Sequence, residues 1–373
     1  MSGPRRRVTQ QDIARMAGVS QTTVSVVLNG RSDSDIRIAP DTRDKVLRAI
    51  AATGYVADPV ARRLAARHNR IIGVFSYEPV FPAANGDFYQ PFLVGIEQRA
   101  ESIGCDLLLL TSTPVVDGRR RIFHPDNRLR LADGCILLGR SLDPEELAKL
   151  VADGLPFVSI GRRDDAGGPV PYVGADYVSA TAALVDRAVE LGHRRLAYLG
   201  HGGGAESWAD RYLGFVTACA RAGAQAVHLA PPIPDGSSTG AAGTRGVVAR
   251  QVVGDVAAAL DAVLGQGITA VIAEEHADGV ALFQLARQLR AGISVVTLGE
   301  PTRAAQPTDV EFSGLHIPRQ EMGAQAVVVL TALIEGQSVA AQRLLTCDVV
   351  PGATLTSPMP DAAPRDARTS GRP

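Results

Sequence analysis

The sequence predicts a small all-α head followed by a larger α/β body of two lobes, each a parallel sheet covered by helices. Three observations carry this. Residues 8–29 place apolar side chains at helical spacing on both sides of a glycine. From Ile71 onward, short continuous apolar runs alternate with helical stretches, which is the pattern of parallel strands buried on both faces. Charge divides along the same line. Residues 1–67 hold 12 Lys and Arg against 6 Asp and Glu, and the remainder of the 373 residues holds 26 against 33, for a formal net charge of −1. A basic head on an acidic body suits a phosphate-binding module attached to something else.

In chain order, Arg5-Arg6-Arg7 reads as a flexible arm, open to phosphate contact or simply solvated. Thr9 can cap a first helix, with Asp12 three residues on as a shorter-acid capping box. Ile13, Met16 and Ala17 recur at helical spacing. Gly18 frees the backbone for a turn, and Val19 is an apolar plug. Ser20 can cap a second helix whose apolar face is Val24, Val27 and Leu28, leaving Gln21, Thr22, Ser25 and Val26 outward. Two such helices form a helix-turn-helix, whose second helix enters the DNA major groove, although an αα-hairpin in any small helical core shares the pattern. A third helix is expected from Pro40 to Gly54, with Val46, Leu47 and Ile50 on one face and a weak cap at Ala39. Asp58-Pro59 starts a further, very short helix through Leu64, of a length unstable in isolation. Strands are expected at Ile71–Tyr77, Cys105–Thr111, Gly134–Gly139, Pro156–Gly161, Arg195–Gly200, Ala226–Ala230, Ala270–Glu274 and Ile293–Leu298, and a helix at Pro318–Glu335.

The stretch Val8–Asn29 resembles the DNA-binding domain of the LacI/GalR family of bacterial transcription regulators. So do Asp87–Glu97, Leu191–Gly200, Asp210-Arg-Tyr-Leu-Gly-Phe215 and Ile317–Gly323, and the likeness runs from about Val8 to Pro358. It implies a helix-turn-helix domain over 1–56 and a hinge helix with linker over 57–69. A periplasmic-binding-protein-like core of two Rossmann-like lobes would cover 70–358, for effector binding and dimerisation. Lobe 1 is expected over about 70–175 and 300–330, lobe 2 over about 176–299 and 331–358, and the tail 359–373 reads as disordered. In the hinge the resemblance makes Leu64 a wedge into the minor groove, sets Val60 and Ala61 against DNA or the partner hinge, and puts Arg62 and Arg63 on phosphates. Base readout is assigned to Gln21, Thr22 and Val26. A glutamine can bind adenine through two bonds, and Thr or Val can pack on a thymine methyl. Thr9, Ser20, Thr23, Ser25 and Asn29 suit phosphates, which position without specifying sequence. A homodimer on near-palindromic operator DNA follows.

For the effector, Arg211 is the leading residue: in relatives the matching arginine binds ligand oxygens, and guanidinium is a rigid fork of donors. Phe88 and Tyr89, in the loop after the first strand, and Arg162, after the fourth, match cleft positions. Trp208 can stack on a sugar face or serve lobe packing. Relatives often carry Gly-Tyr/Phe-Asp-Asp where this chain reads Leu298-Gly-Glu300, and Asn-Asp or Ser-Asp where it has Glu274-Glu275. Glu274 and Glu300 are therefore expected to replace the usual acids, which weakens the case for a common hexose without removing a saccharide.

Other functions fit poorly. Gly200-His-Gly-Gly-Gly204 matches a dinucleotide loop imperfectly, and no acid ends the next strand. No nucleophile elbow occurs, so no enzyme is expected. Cys105, Cys135, Cys219 and Cys347 are scattered, without metal or disulfide spacing, and neither metal nor cofactor is expected. No apolar run is long enough to cross a bilayer, and the N-terminus lacks a secretory apolar region. A cytoplasmic location is therefore expected, and a periplasmic solute-binding role is not.

Overall fold

The computed structural model describes residues 8–29, 38–55, 69–78, 83–116, 118–232, 248–301 and 309–359, with the side chains of 83–87 and of Asn29 left aside. The arm, the loop 30–37, the hinge residues Val60, Ala61, Arg62, Arg63 and Leu64, and the tail from 360 lie outside the described residues. The chain divides into two compact units, residues 1–69 and 70–373.

The first unit holds α1 (Gln10–Ala17), α2 (Gln21–Asn29) and α3 (Pro40–Thr53). Thr9 caps α1 through a complete capping box with Asp12, and Gly18 ends it in the left-handed conformation, φ 67°. The Ser20 hydroxyl accepts from the Thr23 amide at 3.1 Å, capping α2. Ala39 gives α3 no side-chain cap, as expected, and Pro40 occupies its first turn. Ile13, Ala14, Val24, Val46 and Ala49 form the core, with Val19, Val27, Leu28 and Ile50 packed around it. Two expected core residues face outward. Met16 is 59% exposed and Leu47 46%. In each helix an alanine, Ala14 or Ala49, takes the inward position instead, beside Ile13 in the one and Val46 in the other.

The second unit contains two sheets. The first lobe comprises β1 (Ile71–Ser76), α4 (Ala83–Ser102), β2 (Asp106–Leu110), β3 (Gly134–Leu138), α5 (Pro144–Asp153), β4 (Phe157–Ile160) and β5 (Tyr172–Ala175). The second adds α6 (Tyr177–Glu190), β6 (Arg195–Leu199), α7 (Glu206–Ala222), β7 (Gln225–Ala230), β8 (Ala249–Val252), α8 (Val256–Gly265), β9 (Ala270–Ala273), α9 (His276–Gln288), β10 (Ser294–Thr297) and β11 (Ser313–His316). Then come α10 (Arg319–Ile334), β12 (Gln342–Leu345) and β13 (Asp348–Val350). Sheet order is β12-β5-β4-β3-β1-β2 in one lobe and β13-β11-β10-β9-β6-β7-β8 in the other. All pairs are parallel except β11 with β13.

The expected lobe boundaries shift here. β11 stays beside β10 in the second sheet, so the chain crosses after His316 rather than near residue 300. Residues 342–345 belong to the first sheet, against β5, and only β13 returns to the second. Both late strands are short and partly exposed, so their sequences lack the apolar runs that marked the others. Phe88 and Tyr89 lie on α4 rather than in a loop, and the helix runs on past Pro91. Burying Phe92, Ile96 and Ala100 against the sheet and α10 outweighs one lost backbone bond.

His193 pins the last segment to the second lobe. Its Nε2 donates to the Thr356 carbonyl and its Nδ1 meets the Thr269 hydroxyl, both at 2.8 Å. Burial holds its pKa below the ordinary 6.5, and burial does the same to His228 and His276. The unfolded chain therefore binds more protons, and stability falls as pH drops through 6.5 towards the folded values. Urea midpoints measured at pH 7.5 and 5.5 should show this loss, and His193→Gln should reduce the difference. An unchanged difference would place the acid sensitivity elsewhere.

Candidate functional site

In the head, Gln21 and Thr22 stand exposed at the start of α2, and Val26 is half-buried one turn later. Ser20 and Thr23 spend their hydroxyls on each other, 2.9 Å apart, and on the cap. The Thr9 hydroxyl donates to Asp12 at 2.7 Å. These three thus shape the turn first, and any phosphate contact from them comes through atoms already held in place. Ser25 is half-buried on the same helix.

In the core, a cavity opens at the strand ends between the two lobes. Such crevices outside the carboxyl ends of parallel strands are where ligands bind in open α/β sheets. Phe88, Tyr89, Arg162, Trp208, Arg211 and Glu300 line it, with Arg140, Arg163, Asp210, Glu275 and Arg319 beside them. Phe88 and Tyr89 pack edge to face, centroids 5.0 Å apart, and Tyr89 donates its hydroxyl to Glu78. Trp208, on the first turn of α7, stacks on His201 at 4.6 Å and donates to Glu275 at 3.3 Å.

Charge pairs cross the cleft. Arg162 bonds Asp210 through Nε at 2.7 Å and Asp164 through Nη1 at 2.6 Å. Arg163, 4% exposed, donates to Glu206 at 2.9 Å, to the Gly139 carbonyl at 2.6 Å and to the Ser159 hydroxyl at 3.1 Å. Glu206 and Asp210 belong to α7 in the second lobe, so both arginines bridge the lobes. Burial pulls the Arg163 guanidinium below its usual value despite Glu206. It lifts the Asp210 carboxyl, with Arg162 pulling the other way.

Two expected acids behave differently from the sequence reading. Glu274 is fully buried and does not line the cavity. Its carboxylate accepts from the Tyr198 hydroxyl at 2.8 Å and from the His201 amide at 2.5 Å, and burial raises its pKa. Side chains alternate at a strand end, so its neighbour Glu275 faces the cleft instead. Glu300 does line the cleft, but its oxygens are taken by Arg319, the Ile317 amide at 2.9 Å and His316 at 2.9 Å. Arg163, Arg140 and Arg319 were not singled out in the sequence. Arg319 lay within a motif that otherwise reads as helix start, and Arg163 sat unremarked beside Arg162.

Burial holds the thiols of Cys135, Cys219 and Cys347 far above the ordinary range, which makes them unreactive core residues. No helix among the described residues is long and apolar enough to cross a membrane.

Residues 9–58 match the bacterial regulatory proteins of the lacI family, and residues 185–355 match the periplasmic binding protein-like domain. The HTH-type transcriptional regulator CelR of Thermobifida fusca is 28% identical over 349 residues, 91% of this chain and 96% of that protein. The chain belongs to the LacI family. This is a family of DNA-binding transcription regulators, not of enzymes. Catabolite control protein A of Priestia megaterium is 30% identical over 193 residues, 52% of this chain and 54% of that one. The sucrose operon repressor of Klebsiella pneumoniae is 30% identical over 58% of this chain and 63% of its own length. The chain thus spans just over half the length of several relatives it matches. Among solved structures, a lac repressor dimer bound to operator and the anti-inducer ONPF superposes with TM-score 0.67, at 20% identity over 94% of this chain and all of that one. A CelR–cellobiose complex gives 0.56, at 23% identity over 93% and 100%. These likenesses establish the fold, a LacI-family head followed by a two-lobed periplasmic-binding-protein-like core.

Proposed function

We propose that this LacI-family chain is a homodimeric repressor of a near-palindromic operator, released or engaged by a saccharide or sugar derivative held between the lobes. The observation that carries this reading is the cleft itself, where Phe88, Trp208 and Arg211 bring aromatic faces and a donor fork to one cavity. A structural neighbour solved as a CelR–cellobiose complex and a relative named as a sucrose operon repressor support a sugar effector. Gln21, Thr22 and Val26 read bases, and the hinge through Leu64 pairs with that of the second protomer. The mechanism is linkage. Effector and operator each favour one relative angle of the lobes, so each changes the other's affinity by the same factor.

The test begins by selecting bound duplexes from a random pool. The enriched sequence should be near-palindromic, and Gln21→Ala should relax preference at one base pair of each half-site, by about 1–3 kcal/mol. Mono- and disaccharides titrated into the protein–operator complex should then shift fluorescence anisotropy, with about a tenfold change in operator affinity. A pool that returns no enriched sequence would sink the operator assignment, and sugars without effect on a confirmed operator would sink the sugar assignment.

A further inference from the structure

We propose that the effector carries an oxyanion, a carboxylate or a phosphate monoester, and that Arg211 binds it. This rests on the reading that the interlobe cleft is the effector site. Arg211 is 7% exposed and lines the cavity from α7. Guanidinium offers five N–H donors. Among the described residues none of them meets an acceptor, and Nε is buried with no hydrogen-bond partner. Its guanidinium lies over the face of Tyr177, 4.2 Å from the ring centre. Burial works against its charge, but Tyr177, Tyr198, Glu275 and Glu274 outweigh burial and hold its pKa above the ordinary value. However, Glu274 spends its oxygens on Tyr198 and His201, and Glu275 spends one on Trp208. A cation buried without hydrogen-bonded acceptors is costly, so the acceptors are expected from the ligand.

The rest of the cleft points the same way. Its described lining carries five arginines and three carboxylates. Arg162 and Arg319 are paired with Asp210 and Glu300 of the lining, and Arg163 with Glu206 outside it. Arg140 lies over the Phe88 ring at 5.1 Å, with no carboxylate bonded to its side chain among the described residues. The surplus is therefore in donors, while the acids that would accept from sugar hydroxyls are largely engaged. A neutral polyol brings as many hydroxyl donors as acceptors and leaves that surplus unmet. A carboxylate or phosphate brings acceptors alone, in a geometry that matches the guanidinium fork. Phe88 and Trp208 line the same cavity, so a sugar acid or a sugar phosphate addresses both its aromatic and its cationic lining.

The experiment is thermal unfolding of the full chain at fixed ionic strength, with chloride, inorganic phosphate, D-gluconate, D-glucose 6-phosphate, D-glucose or cellobiose. Oxyanions should raise the melting temperature above chloride in the wild type. Gluconate against glucose 6-phosphate then tells carboxylate from phosphate. Arg211→Gln should weaken the apparent Kd for the better anion at least tenfold, and Arg211→Lys should recover part of it. No oxyanion effect beyond chloride, or one unchanged in Arg211→Gln, overturns the inference. If glucose or cellobiose then stabilises the protein and Trp208→Ala removes the effect, the cleft remains the effector site and only the oxyanion is wrong. If neither sugars nor oxyanions depend on Trp208 or Arg211, both readings fall together.

Discussion

Gly95→Val should destabilise the core unit by at least about 3 kcal/mol, at the upper end of overpacking costs. α4 and α10 cross with glycine on both sides. A Cβ at Gly95 would lie 1.8 Å from the Gln320 carbonyl oxygen, and one at Gly323 would lie 2.2 Å from that of Phe92. Both obstacles are backbone, which cannot swing aside as a side chain can. Relief requires the helices to part, and α10 is the element that packs Met322, Ala326, Val327, Val329 and Leu330 into the core. Each of the larger ones, Met322, Val327, Val329 and Leu330, contributes about 1.5–3 kcal/mol when fully buried, so even partial separation is expensive. Gly254→Ala is the control, since nothing lies within 4 Å of its added Cβ. It should stay within about 0.5 kcal/mol of wild type. Urea denaturation of Gly95→Ala, Gly95→Val and Gly254→Ala checks the order. If Gly95→Ala is as mild as Gly254→Ala, the helices are not in backbone contact.

Sequence reading reached the elements whose residues have one role. Strands such as Gly134–Leu138 are buried on both faces, so every residue is apolar and the run announces itself. β8 is exposed at all four positions, and β12 and β13 are half-exposed. Their pairing is set by the neighbouring strand and leaves little mark on composition. The cleft residues divide similarly. Arg211 stands out through its motif, Arg211-Tyr-Leu-Gly-Phe215, which resembles one whose arginine binds ligand oxygens in relatives. Glu274 and Glu275 could not be told apart, because only the register of β9 decides which one turns towards Tyr198 and which towards the cavity. Arg162 and Arg163 posed the same problem after β4. There both face the interlobe region, but one reaches Asp210 and the other is buried against Ser159, Gly139 and Glu206. Capping chemistry likewise decides Thr9, Ser20 and Thr23. Thr9 and Ser20 read both as caps and as phosphate contacts; in the structure their hydroxyls satisfy helix N-termini that would otherwise be left open, and the Thr23 hydroxyl meets that of Ser20.

Arg163→Met should cost about 3 kcal/mol, the lower end of what breaking a buried ion pair costs. The substitution leaves the Gly139 carbonyl and the Ser159 hydroxyl without their donor, and Glu206, whose side chain is 17% exposed, without its cation. Glu206 keeps a path to water, which holds the cost down. The pair is nonetheless a poor net stabiliser, since burial outweighs Glu206 and drags the guanidinium below its usual value. Removing both charges should therefore recover part of the loss: Arg163→Met with Glu206→Leu should be more stable than Arg163→Met alone. A double-mutant cycle by urea denaturation reads the coupling directly. The same pair joins α7 to the loop after β4, so its removal also loosens one lobe from the other. Arg163→Met should consequently weaken effector binding more than the double mutant does, because a solitary Glu206 at the cleft repels an anionic ligand. Additive stabilities in the cycle would mean that the contact between Arg163 and Glu206 carries no energy.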